Sequence, residues 1–69
     1  MKIEINNSSM LSSADYDSAE HTLTVVFSNG EEYKYKDVPE EVFTGLSQAP
    51  SAGKYFLANI KYKFEYEKV

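Results

Sequence analysis

The chain has no cysteine, no arginine and no tryptophan, and among its 69 residues only one histidine, two prolines and three glycines. Without cysteine it can form no disulfide and no thiolate metal site. With His21 as the sole imidazole, a zinc site would take most of its ligands from carboxylates. Without arginine, bidentate reading of guanine in a duplex is excluded. The net charge of −4 also fits poorly with non-specific duplex binding, which depends on neutralising many phosphates. No segment approaches the roughly 20 apolar residues of a membrane span. The first ten residues carry one lysine and no long apolar run, unlike a signal peptide. The expectation is a soluble, cytoplasmic protein.

What remains is enough for one domain, residues 1–69, and no more. A chain of this length buries roughly 60% of the surface its unfolded form exposes. Small domains usually add a staple to a core of that size. With disulfides excluded, self-association is the staple left, and a homo-oligomer, dimer or tetramer, is expected. The six Tyr and four Phe support this, because aromatic side chains suit cores and interfaces alike.

Hydrophobic patterning gives the elements. Lys2-Ile3-Glu4-Ile5 alternates and reads as a short strand or ordered arm. Residues 6–13 are rich in Ser and Asn, with Met10 and Leu11 as their apolar anchors. Ala14-Asp15-Tyr16-Asp17 leads into a polar turn at residues 18–21. Residues 22–28 form the clearest strand, with Leu23, Val25 and Phe27 on one face. Asn29-Gly30 then predicts a type I′ hairpin turn with positive φ at both residues, and residues 31–36 the partner strand, with Tyr33 and Tyr35 on one face. Pro39 suits the first position of a helix, and Glu40 and Glu41 suit the positive end of its dipole. Val42, Phe43 and Leu46 face its core, Gly45 weakens it, and Ala49-Pro50 ends it. Ser51 predicts the N-cap of a second helix that presents Phe56, Leu57 and Ile60 and runs to about residue 63, with an extended end after it. The fold class is α+β: a small antiparallel sheet centred on a β-hairpin, packed with two short helices, with an extended C-terminal end.

The chemistry-bearing residues point to binding. There is no Cys, and no sign of an activated Ser to join His21 in a nucleophilic triad, so His21 reads as an exposed turn residue. Asp15 and Asp17 lack the further carboxylates and central Gly of a calcium loop; turn chemistry, in which Asp bonds nearby backbone N–H groups, accounts for them. The hydroxyls of Ser8 and Ser9 either bond a polar ligand or satisfy their own arm. Ser51-Ala52-Gly53-Lys54 opens a helix, where free N–H groups and Lys54 suit a phosphate; ordinary capping is the plainer alternative. Tyr55, Tyr62 and Tyr66 interleave with Lys54, Lys61 and Lys63. Such a cluster either stacks bases and neutralises phosphate or fills a core or subunit interface. Tyr16 is a further aromatic for stacking.

The ordered set Ser8-Ser9, Tyr16-Asp17, Leu23-Thr24-Val25-Val26-Phe27, Gly30, Tyr33-Lys34-Tyr35, Val38-Pro39, Leu46, Ala49, Ser51, Gly53, Tyr55-Phe56 and Ile60-Lys61 resembles the KTSC domain family, named after the C-terminal region of a lysyl-tRNA synthetase. The resemblance covers nearly the whole chain, from about residue 7. Asp15, Leu57, Lys61 and Glu65 stand where the family favours Gly, Asn, Arg and Pro. That usual Pro implies an extended tail. The resemblance carries no catalytic assignment and implies no cofactor. It points to RNA through the synthetase, and to free-standing phage and bacterial proteins, some small phage proteins of this kind being sponges for cyclic nucleotide immune signals. The leading expectation is therefore a non-enzymatic, oligomeric sponge that sequesters a cyclic (di)nucleotide for phage immune evasion. Its ligand-binding residues are expected to be Ser8, Ser9, Tyr16, Ser51, Lys54, Tyr55 and Lys61. An RNA-binding module and a structural or protein–protein adaptor are the alternatives.

Overall fold

The computed structural model describes residues 1–69. The elements in chain order are β1 (Lys2–Glu4), β2 (Leu11–Asp17), β3 (Thr22–Phe27), β4 (Glu32–Tyr35), α1 (Glu40–Gln48), α2 (Ala52–Asn59) and β5 (Tyr66–Lys68). The strands form one five-stranded sheet in the order β1-β2-β3-β4-β5, every neighbouring pair antiparallel. No helix is long and apolar enough to cross a membrane. The α+β expectation holds, with more sheet than the hairpin alone.

The additional strand is β2. Its Ser and Asp residues are weak strand formers, and its alternation is broken. Leu11 pairs with Phe27 but Ser13 with Val26, so one extra residue sits on β2 there. That bulge puts Leu11 and Ala14, three positions apart, on the same buried face and hides the period of two. Flanked by β1 and β3, the segment has partners for its backbone and becomes a strand. Asp17 then accepts the backbone N–H groups of Ala19 and Glu20, as turn chemistry predicts.

The hairpin between β3 and β4 forms, but not with a type I′ turn. Of its turn residues only Gly30 has positive φ, at 91°. The Gly30 N–H donates to the Phe27 carbonyl at 2.9 Å, and the Phe27 N–H to that of Glu31 at 2.8 Å. This is the longer loop in which an ordinary turn is followed by a left-handed glycine.

One sheet face carries the core. Ile3, Ala14, Tyr16, Leu23, Val25, Tyr33, Tyr35 and Tyr66 are linked by cross-strand register, and the helices cover most of this row. Tyr16 stacks on Phe43 of α1 at 5.5 Å, and Phe56 of α2 meets Phe27 and Tyr35 edge-on. The opposite face carries the row Lys2, Asp15, Thr24, Lys34 and Glu67, one residue per strand, and is polar.

The helices differ from expectation at their ends. Pro39 is the N-cap of α1 with extended ψ, one residue before the first helical position. The reason lies upstream: the Val38 N–H is tied to the His21 carbonyl at 2.8 Å and Val38 is fully buried, so the chain turns helical only after Pro39. Helix α2 stops at Asn59, short of residue 63. The N–H groups of Ile60 and Lys61 both reach the Phe56 carbonyl at 2.9 Å, and this closing turn redirects the chain so that β5 lies beside β4. Phe64 packs against the core from the turn rather than from a helical face. Leu57 is exposed, because Ala52, Phe56 and Ile60, spaced by four, make the stripe that faces the sheet.

Candidate functional site: an aromatic groove

The helices leave the β4–β5 side of the core face partly open. Register explains what lies there: Tyr35 is opposite Tyr66, and Tyr33 is opposite Lys68. Alternation points both β4 tyrosines to the core face, and β5 extends the row by a third. The turn after α2 then sets Lys61 and Tyr62 over them. The result is a groove of about 270 Å³ lined by Phe27, Glu31, Tyr33, Tyr35, Lys61, Tyr62 and Tyr66.

Its floor is a ring network. Tyr66 lies 5.4 Å from both Tyr33 and Tyr35, tilted at 47° and 37°, and Phe27 meets Tyr33 edge-on at 5.4 Å. Tyr62 at 81% exposure and Tyr66 at 54% leave their rings open. The Lys61 ammonium stands 5.3 Å from the centre of the Tyr62 ring and makes no ion pair. At the hairpin end, Glu31 accepts from Lys68 Nζ at 2.7 Å and from Asn29 Nδ2 at 3.2 Å. The hydrogen bond from Lys68, then that from Asn29, holds its carboxyl below the ordinary range. Burial, reinforced by Tyr66 and Tyr33, pushes the Tyr35 hydroxyl up to about 12, so it stays neutral in physiological water. The groove thus offers flat apolar faces, one free cation and one fixed carboxylate.

The sequence-predicted site residues divide. Lys61 is in the groove. Ser51, Lys54 and Tyr55 line a separate shallow hollow with Ala49 and Pro50. Two first-turn N–H groups of α2 are already bonded within the chain, that of Ala52 to Asn7 Oδ1 at 3.3 Å and that of Lys54 to Ser51 Oγ at 3.4 Å. Ser8 Oγ accepts the N–H groups of Met10 and Leu11 at 3.1 Å, so its hydroxyl serves its own arm; Ser9 is exposed. Tyr16 is not offered to a ligand. Its side chain is 1% exposed and its hydroxyl donates to the Val38 carbonyl at 2.6 Å. The groove residues absent from the expected set are Phe27, Glu31, Tyr33, Tyr35, Tyr62 and Tyr66. Tyr62 and Tyr66 carried a signal in their interleaving with lysine. Tyr33 and Tyr35 carried one in their alternation, which gave a face but not its neighbours.

The KTSC domain family profile matches residues 7–64. This chain belongs to the KTSC domain family. A crystal structure of a KTSC domain protein from Yersinia pestis superposes with a TM-score of 0.90 at 31% identity, covering 100% of this chain and 96% of that one. A protein of Tsukamurella paurometabola is 40% identical over 57 residues, spanning 83% of this chain and 85% of its own length. A lysine–tRNA ligase of Trichormus variabilis is 46% identical over 54 residues. This chain spans about a tenth of that ligase's length, 10%, so the likeness concerns the KTSC domain alone. The profile ends at Phe64, so Tyr66, which lines the groove, and Lys68, which holds Glu31, lie beyond the matched part of the KTSC domain.

Proposed function

We propose that this KTSC domain is a binding module rather than a catalyst, and that its aromatic groove takes the base of a small anionic nucleotide. One observation carries the reading: the open rings of Tyr62 and Tyr66 converge with the unpaired ammonium of Lys61. Bases stack on aromatic faces at about 1–3 kcal/mol each, and a lysine at the mouth meets the phosphate. Nothing in the groove supplies an activated nucleophile with a base beside it, so the ligand is held and released unchanged. A groove of about 270 Å³ accommodates a single base, so a cyclic dinucleotide would engage two copies of the chain. Sequestration of such a signal by a homo-oligomer is the fullest form of this reading.

Calorimetric titration with mononucleotides and cyclic dinucleotides tests it. Binding is expected, and Tyr62→Ala, Tyr66→Ala and Lys61→Ala are each expected to weaken it by about tenfold. The ligand should be recovered intact after the protein is denatured. Binding that survives all three substitutions would remove the groove from consideration.

The likeness to a lysine–tRNA ligase favours a second reading, in which the same groove holds an unpaired RNA base. Salt dependence separates the two. A small nucleotide gives a shallow slope, set by about two phosphates, whereas an RNA track gives one several times steeper. Silence toward both ligands would point to a protein partner.

A further inference from the structure

The carboxylate at the end of the groove has its own recognition chemistry. An ionised carboxylate accepts hydrogen bonds and donates none, with two acceptor positions on each oxygen. Glu31 uses one position on Oε2 for Lys68 and one on Oε1 for Asn29, which leaves one on each oxygen. The group is fixed from three directions, since the Asn29 side chain also accepts the Glu31 backbone N–H at 3.0 Å. Its side chain is 42% exposed and lines the groove beside the tyrosine floor. A stacked base therefore meets two adjacent acceptors at its edge.

Only one common base answers that pattern. Guanine presents two neighbouring donors, N1–H and N2–H, on its Watson–Crick edge. Adenine and cytosine each place a ring-nitrogen acceptor beside a single amino donor. Uracil flanks its one N–H with two carbonyls, which the carboxylate repels. Resting on the nucleotide-binding reading above, we propose that the groove selects guanine, with the Glu31 carboxylate accepting N1–H and N2–H while the ring stacks on Tyr62 or Tyr66. A charge-assisted bidentate pair of this kind is stronger than two neutral bonds and is geometrically strict. Lys68 keeps protons beyond the one it gives Glu31, and these suit the adjacent O6 of guanine. The bonds from Lys68 and Asn29 also hold the Glu31 carboxyl below its ordinary range, which favours the ionised form.

The test is calorimetric titration of the full chain with guanosine, adenosine, cytidine and uridine 5′-monophosphates. Guanosine monophosphate is expected to bind at least about tenfold more tightly than the others. Glu31→Gln turns one acceptor into a donor and should abolish that preference by weakening guanosine monophosphate, while adenosine monophosphate, whose acceptor and amino donor match a carboxamide, should bind no more weakly than before. Lys2→Met, on the far edge strand and the opposite sheet face, should leave the preference intact. If Glu31→Gln fails to fold by circular dichroism, inosine 5′-monophosphate decides the matter on the native protein: lacking the 2-amino group, it should lose most of the advantage of guanosine monophosphate. A heptameric oligo(U) with a central guanosine, against oligo(U) alone, asks whether the guanine comes from RNA, and a preference there supports the same edge contact. Equal affinity for all four nucleotides, or a guanine preference untouched by Glu31→Gln, overturns the selectivity and leaves base stacking standing. Failure of every nucleotide and both oligomers to bind overturns both readings.

Discussion

Tyr16 and Gly45 show how single positions are fixed by neighbours remote in sequence. The Tyr16 ring is enclosed between Phe43 and the sheet, and its hydroxyl satisfies the carbonyl of Val38, itself fully buried. Tyr16→Phe keeps the stack but leaves that carbonyl without its partner, so a lower urea midpoint is expected in equilibrium unfolding. Gly45 lies mid-helix, where glycine is ordinarily a weakness of about 0.5–1 kcal/mol relative to alanine. Here a Cβ would run into the Tyr55 hydroxyl, and the ring carbon bearing it would stand 2.6 Å away. Gly45→Ala is therefore expected to destabilise by about 1–3 kcal/mol through overpacking. In a Tyr55→Ala background the clash is gone, and the same substitution should stabilise by about 0.5–1 kcal/mol. A double-mutant cycle in urea reads this reversal of sign directly.

At the scale of elements, the hairpin turn and the edge strand β5 decide whether the groove exists. Gly30 sits at φ 91° with nothing within 4 Å of its missing Cβ, so a substitution there meets backbone strain rather than crowding. Gly30→Val is expected to cost more than about 1 kcal/mol, read as a lower melting temperature, and to loosen Glu31. Strand β5 is held by its tyrosine, by backbone bonds and by two ion pairs, Lys36–Glu67 at 3.0 Å and Lys68–Glu31 at 2.7 Å. Lys36 and Lys68 hold the carboxyls of Glu67 and Glu31 below their ordinary value of 4.5, chiefly through the direct hydrogen bonds. A depressed carboxyl pKa stabilises the fold above the unfolded value, and that contribution is lost as pH falls through the folded one. Both pairs are exposed, so the effect is small and local. The protection of the amides of residues 66–68 against hydrogen exchange, taken relative to the unstructured rate at the same pH, should fall below about pH 4.5, and Glu67→Gln should flatten that dependence. The alkaline limb has the opposite sign. Tyr35, raised from 10.0 to about 12, favours folding below its unfolded value and withdraws that support across this interval.

For the molecule as a whole, the uneven coverage of the sheet matters most. Helices protect one face, the charged row makes the other wettable, and the short outer strands carry Lys and Glu, which discourage edge-to-edge pairing. The large apolar side chains left in water include Leu57 on α2 and Tyr62 and Tyr66 at the groove mouth. If two copies share one two-base ligand, sedimentation at micromolar concentration should report a dimer or larger species that the ligand stabilises further. A 7.9 kDa species at high concentration with saturating ligand would exclude that arrangement.

The sequence determined most features that depend on neighbours along the chain, although not the type of the β3–β4 turn or the exact start of α1. The β3–β4 hairpin, the acidic start of α1, the stop at Ala49-Pro50 and the Ser51 cap follow from turn residues, capping chemistry and alternation, all of which act over a few positions. The tertiary structure alone decided features that rest on partners far apart. It made a strand of β2, whose bulge disguises its period and whose backbone is satisfied only between β1 and β3. It stopped α2 at Asn59, with no Gly or Pro to mark the place, as the following chain turns to pair with β4. It placed Tyr16 inside and Tyr66 beside Tyr33 and Tyr35, although all four are tyrosines with equal claim to a core or a binding face. Residue type sets what a ring can do, but burial sets which rings remain open to a ligand, and burial is a property of the whole packed sheet.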